Sequence, residues 1–116
     1  MKNTQNPLLA ARAASKNHKK YTRMRFVSVG VSREIPLTVQ NCLWKLLEML
    51  PVEPDCLIIY RLMPDENGLQ IEQSQLLPQY QRTVQMTVSL PVNAVYLVDE
   101  DDRYTMMLRE EFHKWW

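Results

Sequence analysis

From Arg82 to Leu90 apolar and polar residues alternate cleanly. Val84, Met86, Val88 and Leu90 fall on one side, and Thr83, Gln85, Thr87 and Ser89 on the other. A period of two predicts a half-buried strand, which Pro91 closes. Ala94 to Val98, carrying Tyr96, predicts the next strand. Cys56 to Met63 is a continuous apolar run and reads as a buried strand. Pro64-Asp65-Glu66-Asn67-Gly68 follows as a turn, and Asn67-Gly68 is a strong local hairpin signal. Leu69 to Leu77 returns, alternating at first and then losing the pattern before Pro78. Nearer the start, Met24 to Ser32 sets Phe26, Ser28, Gly30 and Ser32 against Val27, Val29 and Val31. That pattern predicts a half-buried strand with a Val face.

A period near 3.6 appears after Ile35-Pro36. Val39, Leu43, Leu46, Leu47 and Leu50 share one helical face beside Cys42 and Trp44, and Pro51 and Pro54 stop the helix. Tyr104 opens a β-compatible segment, and Leu108 to Lys114 favours a short terminal helix. Asn6-Pro7 resembles a helix start, and Arg12, Lys16 and Lys19 or Lys20 would share a face of the Ala- and Leu-rich stretch after it. That stretch has no apolar stripe to bury, so the arm is expected to be flexible or a loosely attached helix. The fold class expected is α+β. One main helix covers one face of a mostly antiparallel sheet of four to five strands, with a short C-terminal helix. The domain reading is a basic arm over residues 1–22 and a single domain over residues 23–116.

Charge changes this picture. Met1 to Glu34 holds eight Lys or Arg and one acid, whereas Ile35 to Trp116 holds six bases and twelve acids. The formal charge of +1 therefore hides a basic arm joined to an acidic body. A basic arm favours nucleic acid and an acidic body favours basic partners. The chain of 116 residues, 46% of them hydrophobic, suits one domain with a real core. It has neither an apolar run long enough to span a membrane nor a secretory h-region, so a cytoplasmic protein without membrane contact is expected. Cys42 and Cys56 then read as two reduced, buried thiols. With Gly30 and Gly68 the only glycines, no Gly-rich phosphate loop is present.

The densest acid cluster is Asp99, Glu100, Asp101 and Asp102. It is the candidate partner-binding site, although a solvated turn explains the same residues. Its spacing lacks the pattern of a calcium loop, so no metal is assigned. Lys16, Lys19, Lys20, Arg23 and Arg25, with Tyr21 among them, form the candidate nucleic-acid patch. A solubilising tail is the plainer reading of that patch. His18 and His113 pair with no nucleophile in the pattern, so no catalytic residue, cofactor or enzymatic activity is expected. Trp115-Trp116 is either folded back on the body or an anchor for a partner, including a second copy in a homodimer.

Five separated blocks carry a resemblance. They are Phe26-Val-Ser-Val-Gly-Val-Ser-Arg-Glu-Ile-Pro, Gln40-Asn-Cys-Leu-Trp-Lys-Leu, Cys56-Leu-Ile-Ile-Tyr-Arg-Leu, Leu77-Pro-Gln-Tyr and Val95-Tyr-Leu-Val-Asp-Glu-Asp-Asp-Arg-Tyr-Thr-Met-Met-Leu-Arg-Glu-Glu-Phe. In order and spacing they resemble a small domain-of-unknown-function family of Firmicutes and their mobile elements, over about Met24 to Phe112. Some members of that family are similar to anti-CRISPR proteins that inhibit type II-A Cas9. The resemblance implies a non-catalytic Cas9 inhibitor carried by a mobile element, with the effector or its guide RNA as partner. An acidic face would occupy the channel that normally holds nucleic acid. A nucleic-acid-binding accessory protein of a plasmid or phage, working through the arm, is the alternative.

Overall fold

Among the described residues six strands, rather than four or five, form a single mixed sheet in the order β1-β6-β5-β2-β3-β4. A computed structural model describes residues 23–115. The arm over residues 1–22, the Trp115 side chain and Trp116 lie outside the described residues. The strands are β1 (Met24–Val27), β2 (Leu57–Asp65), β3 (Gly68–Leu76), β4 (Gln79–Met86), β5 (Asn93–Asp99) and β6 (Arg103–Leu108). The helices are α1 (Val29–Glu34), α2 (Leu37–Glu48) and α3 (Arg109–Trp115). Hairpin turns account for β2–β3, β3–β4 and β5–β6, all antiparallel, and β2 pairs β5 in the same sense. β1 instead pairs parallel to β6, with Met24 opposite Arg103 and Val27 opposite Met106. Local turn signals say nothing about that pair, because the whole domain separates its strands in sequence.

The predicted strand over Met24 to Ser32 is overturned beyond Val27. Its second half is α1, where Val31 is fully buried and Val29 is 68% exposed, so the three valines share no face. The cause is capping. The Ser28 hydroxyl accepts from Val31 N at 3.1 Å, and the Glu111 carboxylate accepts from Gly30 N at 3.0 Å. With the first-turn N–H groups satisfied, the helix outweighs the β-propensity of valine. Gln40 then ties the two helices together, its amide donating to Ile35 O at 2.7 Å from the first turn of α2.

The strand predicted to run to Leu90 ends at Met86, but Val88 and Leu90 still pack on the core from irregular backbone. Pro64 sits inside β2 rather than after it. It is tolerated because β5 reaches only Leu62, so no neighbour requires a donor at Pro64. The Cys56 expectation is also corrected: both thiols are free, but Cys56 is exposed and Cys42 half-buried. Cys56 stands just before β2, outside the buried alternation that begins at Ile58.

The core lies between α1 and α2 and one face of the sheet. Val31, Ile35, Val39, Leu43 and Leu47 meet Ile58, Tyr60, Leu62, Ile71, Leu97 and Met106. Truncating one such residue to Ala costs about 2–5 kcal/mol. Tyr60 is wholly buried; its hydroxyl donates to Leu43 O at 3.2 Å and accepts from the Gln73 amide at 3.0 Å. Burial pushes that phenol far above its ordinary range, with the Gln73 bond acting against the shift. On the opposite face α3 covers Tyr96, whose ring lies 4.9 Å from Phe112 and 5.8 Å from His113.

Candidate functional site

The register brings five chain segments to one end of the sheet. Asp99 donates its backbone N–H to Cys56 O at 2.9 Å, which sets the β5–β6 turn beside the segment entering β2. The acidic run is the turn itself. The Asp99 carboxylate accepts from Asp101 N at 2.9 Å, Glu100 donates to Arg103 O at 2.9 Å, and Asp102 N donates to Glu100 O at 2.8 Å. Asp101 holds φ 70, a left-handed conformation that Asp tolerates better than most residues.

The four acids are not equivalent. The Asp99 side chain is 9% exposed and ion-paired with Arg23, whose guanidinium lies 5.4 Å from the centre of the Tyr104 ring. Glu100 accepts from the Thr105 hydroxyl. Asp102 accepts from Arg103 at 3.1 and 3.2 Å, and that contact holds its carboxyl below the usual range; Arg103 also covers Phe26 at 4.8 Å. Asp101 and Asp102 are the exposed pair.

Three carboxylates that sequence reasoning missed join them. Glu48, in the last turn of α2, pairs with Arg25 at 2.9 Å, and Arg25 lies 5.1 Å from the Trp44 ring centre. Asp55 accepts from Cys56 N at 2.7 Å, Leu77 N at 2.9 Å and Leu76 N at 3.2 Å. Burial opposes its charged form, but the bonds from Leu77, Cys56 and Leu76 together outweigh it and hold the carboxyl below its usual value. Glu53 lends its backbone carbonyl to the Gln75 amide at 3.0 Å, and its carboxylate adds to the burial that pushes the Tyr104 phenol up. The same amide donates to Pro78 O at 2.8 Å, so the β3–β4 tip is pinned while Leu76 and Leu77 remain 81% and 76% exposed. Glu48, Glu53 and Asp55 lie close together in sequence but far before the acidic run, and no local motif joins the two groups.

Of the predicted nucleic-acid patch, Arg23 and Arg25 arrive at this same end as counter-charges to Asp99 and Glu48. Lys16, Lys19, Lys20, Tyr21 and His18 lie outside the described residues. His113 is exposed on α3 and stacks edge-on against Phe112. Among the described residues, no three His, Cys, Asp or Glu side chains converge as metal ligands, and no helix is long and apolar enough to cross a membrane.

Residues 24–111, the whole sheet with both core helices, match a family described as staphylococcal protein of unknown function, DUF960. The chain belongs to that family. A solved structure described as a protein of unknown function from Enterococcus faecalis has the same fold, with a TM-score of 0.69 at 18% identity. The match covers 81% of this chain and 94% of that one. No curated protein matches the sequence. The described residues of this DUF960 member thus carry the acidic end on a fold shared with that structure.

Proposed function

We propose that this DUF960 protein is a non-catalytic binding protein whose acidic end engages a positively charged surface on its partner. One observation supports the reading above the rest. The β5–β6 turn places Asp101 in the left-handed region and holds Asp101 and Asp102 exposed beside Asp99 and Glu100. A Gly at that position would relieve both the backbone cost and the charge repulsion, and an Asn would relieve the repulsion. Acids kept at a local cost suit a partner rather than the fold.

Its specific form is inhibition of type II-A Cas9, with this end seated in the channel for nucleic acid. The five sequence blocks and the acidic end support it together. The test is a pull-down and DNA-cleavage assay with purified type II-A Cas9, with and without guide RNA. Binding with loss of cleavage is expected, and Asp101→Asn with Asp102→Asn is expected to abolish both. Absence of binding in either state removes Cas9 as the partner. Binding that the double variant leaves unchanged removes the acidic end as the site.

The excess of bases before Glu34 favours a second reading, a nucleic-acid-binding accessory role through Lys16, Lys19 and Lys20. Affinity for RNA or DNA alone would then fall steeply between low and moderate salt. No binding at low salt rejects it.

A further inference from the structure

The two edges of the sheet are unequal. β1 is four residues long, whereas β4 runs for eight and is laddered to β3 along its whole length, from Leu76 opposite Gln79 to Leu69 opposite Met86. No backbone hydrogen bond from the described residues reaches the outer side of β4. The direction of its free groups follows from the register. Asp65 and Gly68 flank a two-residue turn, so they form a hydrogen-bonded pair, and Pro64 opposite Leu69 cannot be one. Alternation across β3 then points the backbone groups of Gln79, Gln81, Thr83 and Gln85 away from the sheet. Leu76 confirms this phase, because its N–H turns away from β4 to Asp55.

Soluble proteins blunt such edges with Pro, Lys, bulges or very short strands. β4 has none of these; Arg82 is its only charge, and Gln79, Gln81, Thr83 and Gln85 stand exposed on the open face. On the other face Tyr80, Val84 and Met86 pack against the core but stay only half-buried, so the core is unclosed along this strand.

We propose that β4 is a self-pairing edge, joining two copies of this chain antiparallel into a continuous twelve-stranded sheet. Charge selects the register. Placing Arg82 opposite itself would oppose like charges. Centring the two-fold axis on Thr83 sets Arg82 opposite Val84 of the partner, Tyr80 opposite Met86, and Gln81 opposite Gln85. The first two are non-hydrogen-bonded pairs, in which side chains lie closest, so they close the half-open core. Gln81, Thr83 and Gln85 supply about six backbone hydrogen bonds.

Sedimentation of the full chain from micromolar to near-millimolar concentration tests this. A monomer–dimer equilibrium is expected. Thr83→Pro removes an outward N–H from each copy and should weaken association roughly thirtyfold to a hundredfold. Thr83→Lys opposes two like charges on the axis, keeps the β3–β4 ladder and adds only Glu72 as a cross-strand neighbour inside each chain, and should weaken association about threefold to tenfold. Circular dichroism checks that each variant folds; if Thr83→Pro does not, Thr83→Lys decides. A monomer at every concentration, or a dimer that Thr83→Lys leaves unmoved, overturns the proposal.

Discussion

The two ends of the sheet use carboxylates in opposite ways. At the acidic end, Asp101 and Asp102 face solvent on a turn and pair at most with a neighbouring guanidinium. At the other end, where α1 and α3 meet, the Glu111 carboxylate is ringed by donors. It accepts from Ser28 Oγ at 2.5 Å, Leu108 N at 2.7 Å and Gly30 N at 3.0 Å. Two are backbone N–H groups at helix starts and the third is the hydroxyl that caps α1. One acid there fastens the C-terminal helix to the first helix across 81 residues of sequence. Acid density along the chain is therefore a poor guide to what an acid does. The number of donors around each carboxylate separates the acids that build the fold from those left for a partner.

The largest expected effect breaks the enclosed carboxylate. Glu111→Ala leaves three part-buried donors without their acceptor and should cost about 2–3 kcal/mol, read from the urea midpoint. Gly30 supplies a sharper form of the same test. A Cβ there would meet the Glu111 carboxyl carbon at 2.7 Å, so Gly30→Ala should destabilise the wild type by roughly 1–2 kcal/mol as the carboxylate is displaced. In a Glu111→Ala background that obstruction is gone. Alanine then favours a helix over glycine by about 0.5–1 kcal/mol, and the sign reverses. Additive effects of the two substitutions would show that Glu111 does not set the need for glycine.

Asp55 is the acidic end's own structural acid, and it sharpens the contrast within that end. Asp55→Ala removes the acceptor for the amides of Cys56, Leu76 and Leu77. Those sites are more open than the surroundings of Glu111, so water replaces part of the loss and the cost should be about 1 kcal/mol. Amide hydrogen exchange at Leu76 and Leu77 should accelerate while Tyr60 and Leu62 in β2 keep their protection. Unchanged exchange at the tip would mean that Pro78 and Gln75 hold it without Asp55.

Acid should act through the same two groups. Burial works against the charged form of Glu111, yet the bonds from Ser28, Leu108 and Gly30 together hold its carboxyl below the usual value, and Asp55 is shifted the same way. A group with a depressed pKa in the folded state adds stability above its unfolded value and loses it as pH falls through the folded one. Stability should therefore decline below about pH 4.5, the ordinary carboxylate range. Glu111→Gln should flatten that decline, measured as Tm against pH. An unchanged slope would assign the acid sensitivity elsewhere.

What could be read from the sequence was whatever depends on short-range periodicity. The Val39 to Leu50 stripe and the alternation through Met86 stand in the structure, and so does the hairpin signalled by Asn67-Gly68, although its two-residue turn is Glu66-Asn67 and Gly68 opens β3. Alternation misled at Val29 and Val31, where a carboxylate about 80 residues away decides the local conformation, and beyond Met86, where Val88 and Leu90 pack on the core without a strand. The parallel β1–β6 pair and the convergence of Glu48, Glu53 and Asp55 on the acidic run are likewise long-range outcomes without a local signature. The run itself was visible, but not the division of labour within it. Asp99 is drawn in by Arg23, and Arg25 by Glu48, through contacts that only the folded sheet creates.

The smallest expected effect on the fold is the most informative for function. Asp101→Asn keeps a residue that tolerates φ 70 and removes one exposed charge from a crowded turn. Its backbone N–H still reaches the Asp99 carboxylate, and no core contact changes. Stability should therefore move by no more than about 0.5 kcal/mol, in the stabilising direction if charge repulsion outweighs the rest. Asp99→Asn should instead cost roughly 1 kcal/mol or more, because Arg23 loses its partner at a half-buried site. If both substitutions cost the same, all four acids belong to the fold and the acidic end holds none in reserve for a partner. If Asp101→Asn leaves the melting curve in place, the exposed acids are free of structural duty, and any binding they support can be removed without touching the scaffold.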